Sequence, residues 1–413
     1  MPATTHKGLP SYALFSGMLA FVGLPIYIHA PKFFVDEYGI SLTAIGTALL
    51  LVRLLDFVQD PALGWFSDRL KQAKPLVVAV SGLILAAALY GLFGITAPFN
   101  PLIWFILCVA VLFTAFSLLT IMFYAQGIQK AGKIGEMGHV RLAAWRETGA
   151  LIGVCVACIA PLILQAMFPK LGHPLALFSI FFAVLTVLAI LAMQSEWSAS
   201  VKQPKETRVP ILQDKILRRL LLIAFLNAAP VAVTSSLFLF FVEYRLGAAD
   251  AAGPLLLAFF LSAAASVPLW GMAARRFGAK TVLLTGMLLS VVAFGFALNL
   301  QTGQIAAFAA VCIASGAALG ADMTLLPALF ARRVTAISDA GGQAFGLWSF
   351  CSKATLAIAA VTMLPSLEAS GFKVGQPNSQ DALQMLSILY ALVPCILKIL
   401  AFICLFFTKL EEI

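Results

Sequence analysis

The stretch ISLTAIGTALLLVRLLDFVQDPALGWF, residues 40–66, is long and apolar enough to cross a bilayer, yet it carries Arg53, Asp56 and Asp60. A membrane-crossing helix needs about 20 apolar residues. Each ionised group at its centre costs roughly 2.5–3.5 kcal/mol on insertion scales. Spacings of three and four place Arg53, Asp56 and Asp60 on one face of a helix, one turn apart. Two carboxylates and a guanidinium along one protein-facing stripe have the chemistry of a cation site. Structural pairing of the acids with Arg53, or with the distant Lys353, is the plainer reading, but two acids exceed what one salt bridge needs.

Around this stretch the whole chain is apolar. Of its 413 residues 62% are hydrophobic and 11% charged, with a mean hydropathy of +0.99. Soluble domains carry about 25% charged residues, so this composition assigns a multi-pass membrane protein. The net charge of +9 in a soluble protein would suggest nucleic acid; here the basic residues sit in short loops on one side, and no nucleic-acid partner is expected. The polar start MPATTHKG runs straight into a full-length apolar segment, so no cleavable leader is expected. The seven cysteines fall in apolar spans, and Cys155 and Cys158, despite metal-ligand spacing, have no second pair and read as packing residues.

Apolar runs separated by short polar loops predict twelve spans, near 9–34, 40–66, 75–96, 101–127, 140–167, 174–194, 218–243, 253–275, 280–299, 304–330, 341–365 and 381–407. The only long polar connection, 195–217, is rich in charge and proline and reads as a linker. The expected layout is therefore an all-α membrane protein with an N-terminal six-helix bundle (1–194), a cytoplasmic linker (195–217) and a C-terminal six-helix bundle (218–413). With both termini inside, 19 Lys and Arg lie on the inner side, four lie outside (Lys32, Lys170, Arg245, Lys373), and four are intramembrane (Arg53, Arg146, Lys353, Lys398). The inside-positive bias predicts cytoplasmic termini in a cell, or inner, membrane.

The two halves also repeat. PALGWFSDR at 61–69 is matched by PLWGMAARR at 268–276, an offset of 207 residues, read as corresponding loops after spans 2 and 8. Copied motifs in two six-span halves indicate a parallel internal repeat, the arrangement of major facilitator transporters. Gly64, Asp68 and Arg69 resemble the loop motif of that superfamily between helices 2 and 3. More specifically, IGTALLLVRLLDFVQDP at 45–61 looks like helix 2 of the glycoside–pentoside–hexuronide cation symporters, the melibiose-permease family. GLWSFCSKATLAIAAVT at 346–362 resembles that family's helix 11, with its lysine at Lys353.

The resemblance implies cation-coupled symport of a small solute by alternating access. It implies a coupling ion, Na⁺ or H⁺, held by Asp56, Gln59, Asp60 and a helix 4 hydroxyl, Ser117. Gln59 stands where the family has asparagine. The family's sugar-binding acids fall opposite Ala20 and Thr120, an aromatic is kept at Tyr124, and the sugar-contacting arginine corresponds to Arg146. Lost carboxylates argue against a melibiose-like disaccharide. The expected partners are a glycoside-like solute, an organic anion or a lysolipid, together with the bilayer; no prosthetic group is implied, and a monomer is expected. A proton-coupled exporter on the same fold is the competing reading.

The remaining intramembrane polar residues have assigned expectations. Arg53 and Lys353 are charge partners of the acids. Arg146 and Glu147 sit roughly 8–9 Å into span 5, counted from Arg141 at 1.5 Å per residue; Arg146 is the substrate candidate and Glu147 its packing or gating partner. Guanidinium binds carboxylate or phosphate bidentately. Asp322 reads as an inner-gate residue, and Asn227 as a helix–helix hydrogen bond or a substrate ligand. Lys398 reads as snorkelling to the inner face. Asp68, Arg69, Arg275 and Arg276 are expected to latch the bundles at the cytoplasmic side, whereas Arg332 and Arg333 stand where relatives often carry acids. Glycines of spans 8 to 11 are expected to permit close helix contact. No span carries a His–acid metal set or a nucleophile–base pair, and His6, His29, His139 and His173 lie in loops or near span ends, so an enzyme is not expected.

Overall fold

The computed structural model describes residues 8–70, 73–135, 137–168, 173–197, 210–338, 340–373 and 376–409. Lys7, Lys71, Lys170, Lys202, Lys205, Arg208 and His6, and most of the expected linker, lie outside them.

Twelve long helices account for most of the described residues: α1 Leu9–Tyr38, α2 Leu42–Arg69, α3 Lys74–Phe93, α4 Pro101–Ile134, α5 Gly138–Met167, α6 Pro174–Trp197, α7 Lys215–Arg245, α8 Ala252–Phe277, α9 Ala279–Ala297, α10 Ile305–Ile337, α11 Gly341–Ala369 and α12 Gln380–Phe406. Ten of them, α3 to α12, meet the length and apolarity of a membrane span, and Leu9–Gly23 of α1 is a shorter apolar helix. The 28 residues of α2 give about 42 Å of helix at 1.5 Å rise, ample to cross. Large apolar side chains face outward along these helices, Leu83, Leu239, Phe296 and Val361 among them. In water that surface would drive aggregation; in lipid it is the solvated face.

The fold differs from the sequence reading at its helix ends. The copied motifs at 61–69 and 268–276 are not loops: α2 continues through Pro61 to Arg69 and α8 through Pro268 to Phe277. A helix interior tolerates proline in a membrane because neighbouring helices satisfy the freed backbone groups. Helices α4 and α10, equivalent in the two halves, each run seven residues past their predicted ends, to Ile134 and Ile337.

The helices gather into two compact units, Met1–Arg208 with Ser338–Ser349, and Val209–Ile337 with Phe350–Ile413. The first unit is built on α1 against α5. Here Gly149 and Gly153 pass so close to Ala13 and Gly17 that a Cβ on either would collide with backbone. Phe21 stacks on Phe178 at 4.6 Å, which ties α1 to α6, and Phe34 meets Phe105 edge-on at 4.9 Å. Overpacking a well-filled core costs about 1–3 kcal/mol, and backbone cannot yield as a side chain does. Gly149→Val is therefore expected to lower the unfolding midpoint of the purified protein by several degrees. Gly23→Val, where a Cβ meets nothing within 4 Å, should leave it unchanged; equal midpoints for both variants would dismiss the close packing.

The second unit bears out the glycine expectation for α9 and α10. A Cβ on Gly316 would strike the Phe259 carbonyl, one on Gly320 the Ser266 hydroxyl, and one on Gly286 the Ala321 methyl. Its core centres on Phe241 of α7, stacked on Tyr390 of α12 at 4.2 Å and 15°. Each ring sits in a π turn, Phe241–Arg245 and Ile388–Leu392, set into an otherwise α-helical span.

Candidate functional site

In the first unit α2 and α4 meet through polar groups. Asp56 is buried, and its Oδ1 accepts from the Ser117 hydroxyl at 2.7 Å and from Gln59 Nε2 at 3.4 Å. Gln59 Oε1 in turn accepts from the Thr114 hydroxyl at 3.2 Å. Asp60, one turn on, is completely buried, and Arg53, one turn before, is half-buried. The structure thus joins Asp56, Gln59 and Ser117. It adds Thr114, which the sequence reading missed, although Thr114, Ser117 and Thr120 recur every three residues and so form one hydroxyl-bearing face of α4. Pro61 directly follows Asp60 and has no N–H, so the Phe57 carbonyl loses its usual helical donor within the same two turns. The cluster is rich in hard oxygen donors.

One and two turns further along α4 lie Thr120 and Tyr124, and Tyr124 meets α5. The Arg146 guanidinium lies over the Tyr124 ring, 3.7 Å from its centroid, a cation–π contact strengthened by burial. Arg146 Nε donates to Glu147 Oε1 at 2.7 Å, and the Tyr124 hydroxyl donates to the same oxygen at 3.2 Å. Neighbours about 100° apart on a helix meet because the long arginine side chain folds back. Arg146 Nη2 and Thr120 Oγ1 are buried with no hydrogen-bond partner. Buried polar groups in this condition cost about 1–3 kcal/mol each. They are what a ligand with acceptor oxygens would satisfy.

Asp68 accepts from the backbone N–H groups of Gly342 at 2.7 Å and Gln343 at 2.9 Å, so it caps the first turn of α11, in the segment that belongs to the first unit. Gly64 is the close neighbour that lets this turn approach: a Cβ there would collide with the Gly342 carbonyl. Arg69 lies over the Trp65 ring at 3.4 Å.

In the second unit, Lys398 corrects the sequence reading. It does not snorkel: it is 2% exposed, and its Nζ donates to Asp322 Oδ2 at 2.6 Å and Asn227 Oδ1 at 2.7 Å. Sequence position gives a residue's depth along a helix but not the partner waiting on another, and a carboxylate on α10 outweighs the pull of the interface. Asp322 and Asn227 are thereby partners of Lys398, on α10 and α7. Arg333 pairs with Asp214 through Nε at 3.2 Å and Nη2 at 2.6 Å. Asp214 is also the N-cap of α7, accepting from Leu217 N–H at 2.7 Å. Burial pushes its carboxyl up, but the hydrogen bonds from Arg333 and Leu217 outweigh this and hold it below the usual range. Lys353 is half-buried in the part of α11 that belongs to this unit. Arg276 lies 5.2 Å from the Phe277 ring centroid, and Arg275 makes no ion pair among the described residues. The cysteines among them are all free, and those residues hold no group of three His, Cys, Asp or Glu arranged for a metal ion.

Twelve helices in this order, with polar clusters inside each bundle, define a major facilitator transporter. The chain belongs to the MFS/sugar transport protein family, which it matches over residues 11–412. A bacterial homologue of the iron transporter ferroportin, solved in an outward-facing state, superposes with a TM-score of 0.68 at 14% identity, covering 95% of this chain and 99% of that one. A variant of the Escherichia coli fucose:proton symporter superposes with a TM-score of 0.69 at 13% identity, covering 97% and 98%. At such identities the likeness is one of fold. No curated protein matches this sequence. Family and fold make it a multi-pass membrane protein that carries small solutes, a transporter and not an enzyme.

Proposed function

We propose that this transporter is a cation-coupled symporter, with both termini cytoplasmic, in which the α2–α4 cluster holds the coupling ion and the Thr120–Tyr124–Arg146 group contacts the solute. The observation that carries the reading is the convergence of Ser117 and Gln59 on Asp56, with Thr114 bonded in turn to Gln59, one turn from the fully buried Asp60. A proton needs only a carboxylate, whereas Na⁺ needs several oxygen ligands. Neutral oxygens gathered around two acids therefore favour Na⁺ over H⁺. Binding one cation there offsets buried negative charge, which ties ion occupancy to the conformational step of alternating access. Arg53, one turn before Asp56 on the same helix, is the fixed positive charge of that balance.

The solute is a small polar molecule with acceptor oxygens, such as an organic anion or a glycoside. Arg146 Nη2 and Thr120 Oγ1 supply the unsatisfied donors, and the Tyr124 ring supports the guanidinium. Glu147 already neutralises part of the Arg146 charge, so an uncharged polyol suits the group as well as a carboxylate.

Thermal unfolding in Na⁺, Li⁺ and choline buffers at two pH values tests this, with Asp60→Asn alongside. A ligand at 100 times its dissociation constant stabilises the native state by about 2.7 kcal/mol. Na⁺ should raise the wild-type midpoint and leave Asp60→Asn unmoved. A midpoint indifferent to Na⁺, with a pH dependence that needs Asp60, would replace sodium by proton coupling.

A further inference from the structure

We propose that the start of α7 carries a binding site for the phosphate headgroup of an anionic phospholipid, formed by Lys215, Arg218, Arg219 and Leu222. These four residues line a surface cavity of about 250 Å³. The spacing, i, i+3, i+4 and i+7, puts them on one face of the helix, and all four side chains are exposed.

The three cations have no acidic partner among the described residues. The nearest acid in sequence, Asp214, is committed elsewhere: both its oxygens are held by Arg333, and one also takes the Leu217 N–H. Three like charges on one face of the helix start repel one another. A bound phosphate removes that repulsion and accepts hydrogen bonds from two guanidinium forks.

Leu222 decides between a soluble phosphate and a lipid. It is 51% exposed and stands one turn beyond Arg218, where the apolar span begins. A headgroup on the cations would lay its acyl chains along Leu222 and the outward-facing side of α7, the arrangement expected at a membrane boundary. The site lies wholly within the second unit and does not depend on which solute is carried.

The test uses the full chain in a zwitterionic detergent, titrated with phosphatidylglycerol, phosphatidylcholine or soluble glycerol phosphate while thermal unfolding is followed. With about 1 kcal/mol per basic residue near an anionic surface, phosphatidylglycerol should bind about 100-fold more tightly than phosphatidylcholine. Replacing Lys215, Arg218 and Arg219 together by glutamine should abolish that preference. An undiminished preference in this triple variant, or glycerol phosphate giving the whole effect, would overturn the proposal. Should the triple variant fail to fold, photoreactive phosphatidylglycerol on the wild type decides: cross-links at Leu222 support the site, and cross-links confined to other helices overturn it.

Discussion

Asp56→Asn is expected to lose cation-driven solute accumulation in proteoliposomes altogether, while solute exchange without a gradient persists. Asparagine keeps the volume and can still accept from Ser117, so the contact between α2 and α4 survives. What disappears is the negative charge at the centre of the oxygen cluster. Removing even an outer partner of a metal ligand costs 10–100-fold in affinity, and a lost charged ligand should cost at least about 100-fold. Radiolabelled sodium binding to the purified variant measures this directly. Wild-type sodium affinity in Asp56→Asn would sink the cation role, since among the described residues no other cluster in the first unit offers two adjacent buried carboxylates. Ser117→Ala makes a graded companion, because it removes one neutral oxygen and should weaken binding by less.

The second large effect lies at Lys398. Lys398→Met removes the ammonium from a site where Asp322 and Asn227 are both buried, leaving a carboxylate without its counter-charge. Breaking a buried pair from one side costs about 3–5 kcal/mol, whereas replacing both members by apolar groups is often neutral or stabilising. Lys398→Met alone should therefore unfold well below the wild type. The double variant Lys398→Met with Asp322→Leu should recover most of the midpoint, while Asn227 retains only its weaker dipole. If the single variant melts like the wild type, the pair is not held as the structure has it. Recovery in the double variant with impaired transport would separate a functional role for the pair from a structural one.

Helix number and placement were legible because the signal is one-dimensional: a span is apolar over about 20 residues, and its interruptions are polar. Helix ends were less so. Residues 128–134 and 331–337 carry the charges Lys130, Lys133, Arg332 and Arg333 that look like loop, yet α4 and α10 extend through them, since helix propensity does not fall where lipid ends. Asp56 came from charges one turn apart in an apolar span, Gln59 and Ser117 from a resemblance carried by motifs in helices 2 and 11, and the structure brings all three together. Thr114 escaped because a lone threonine in an apolar helix usually bonds its own backbone, as Thr114 also does to Ala110 at 2.9 Å. The link between Lys398 and Asp322 was hidden for a different reason. Seventy-six residues separate them, and nothing local to either marks the other.

The paired π turns carry a consequence for how this chain tolerates change. Each holds one residue more than an α-helical turn needs, and that extra residue rotates everything downstream by about 100°. Lys398 lies six positions beyond the turn Ile388–Leu392, so its bearing toward Asp322 is set by that single inserted residue. Shortening this turn by one residue would leave the composition and hydrophobicity of α12 nearly intact while swinging the ammonium away from Asp322. The segment is thus a phase-setting device: in α12 the count of residues matters more than their kind, and a one-residue deletion there is graver than most substitutions.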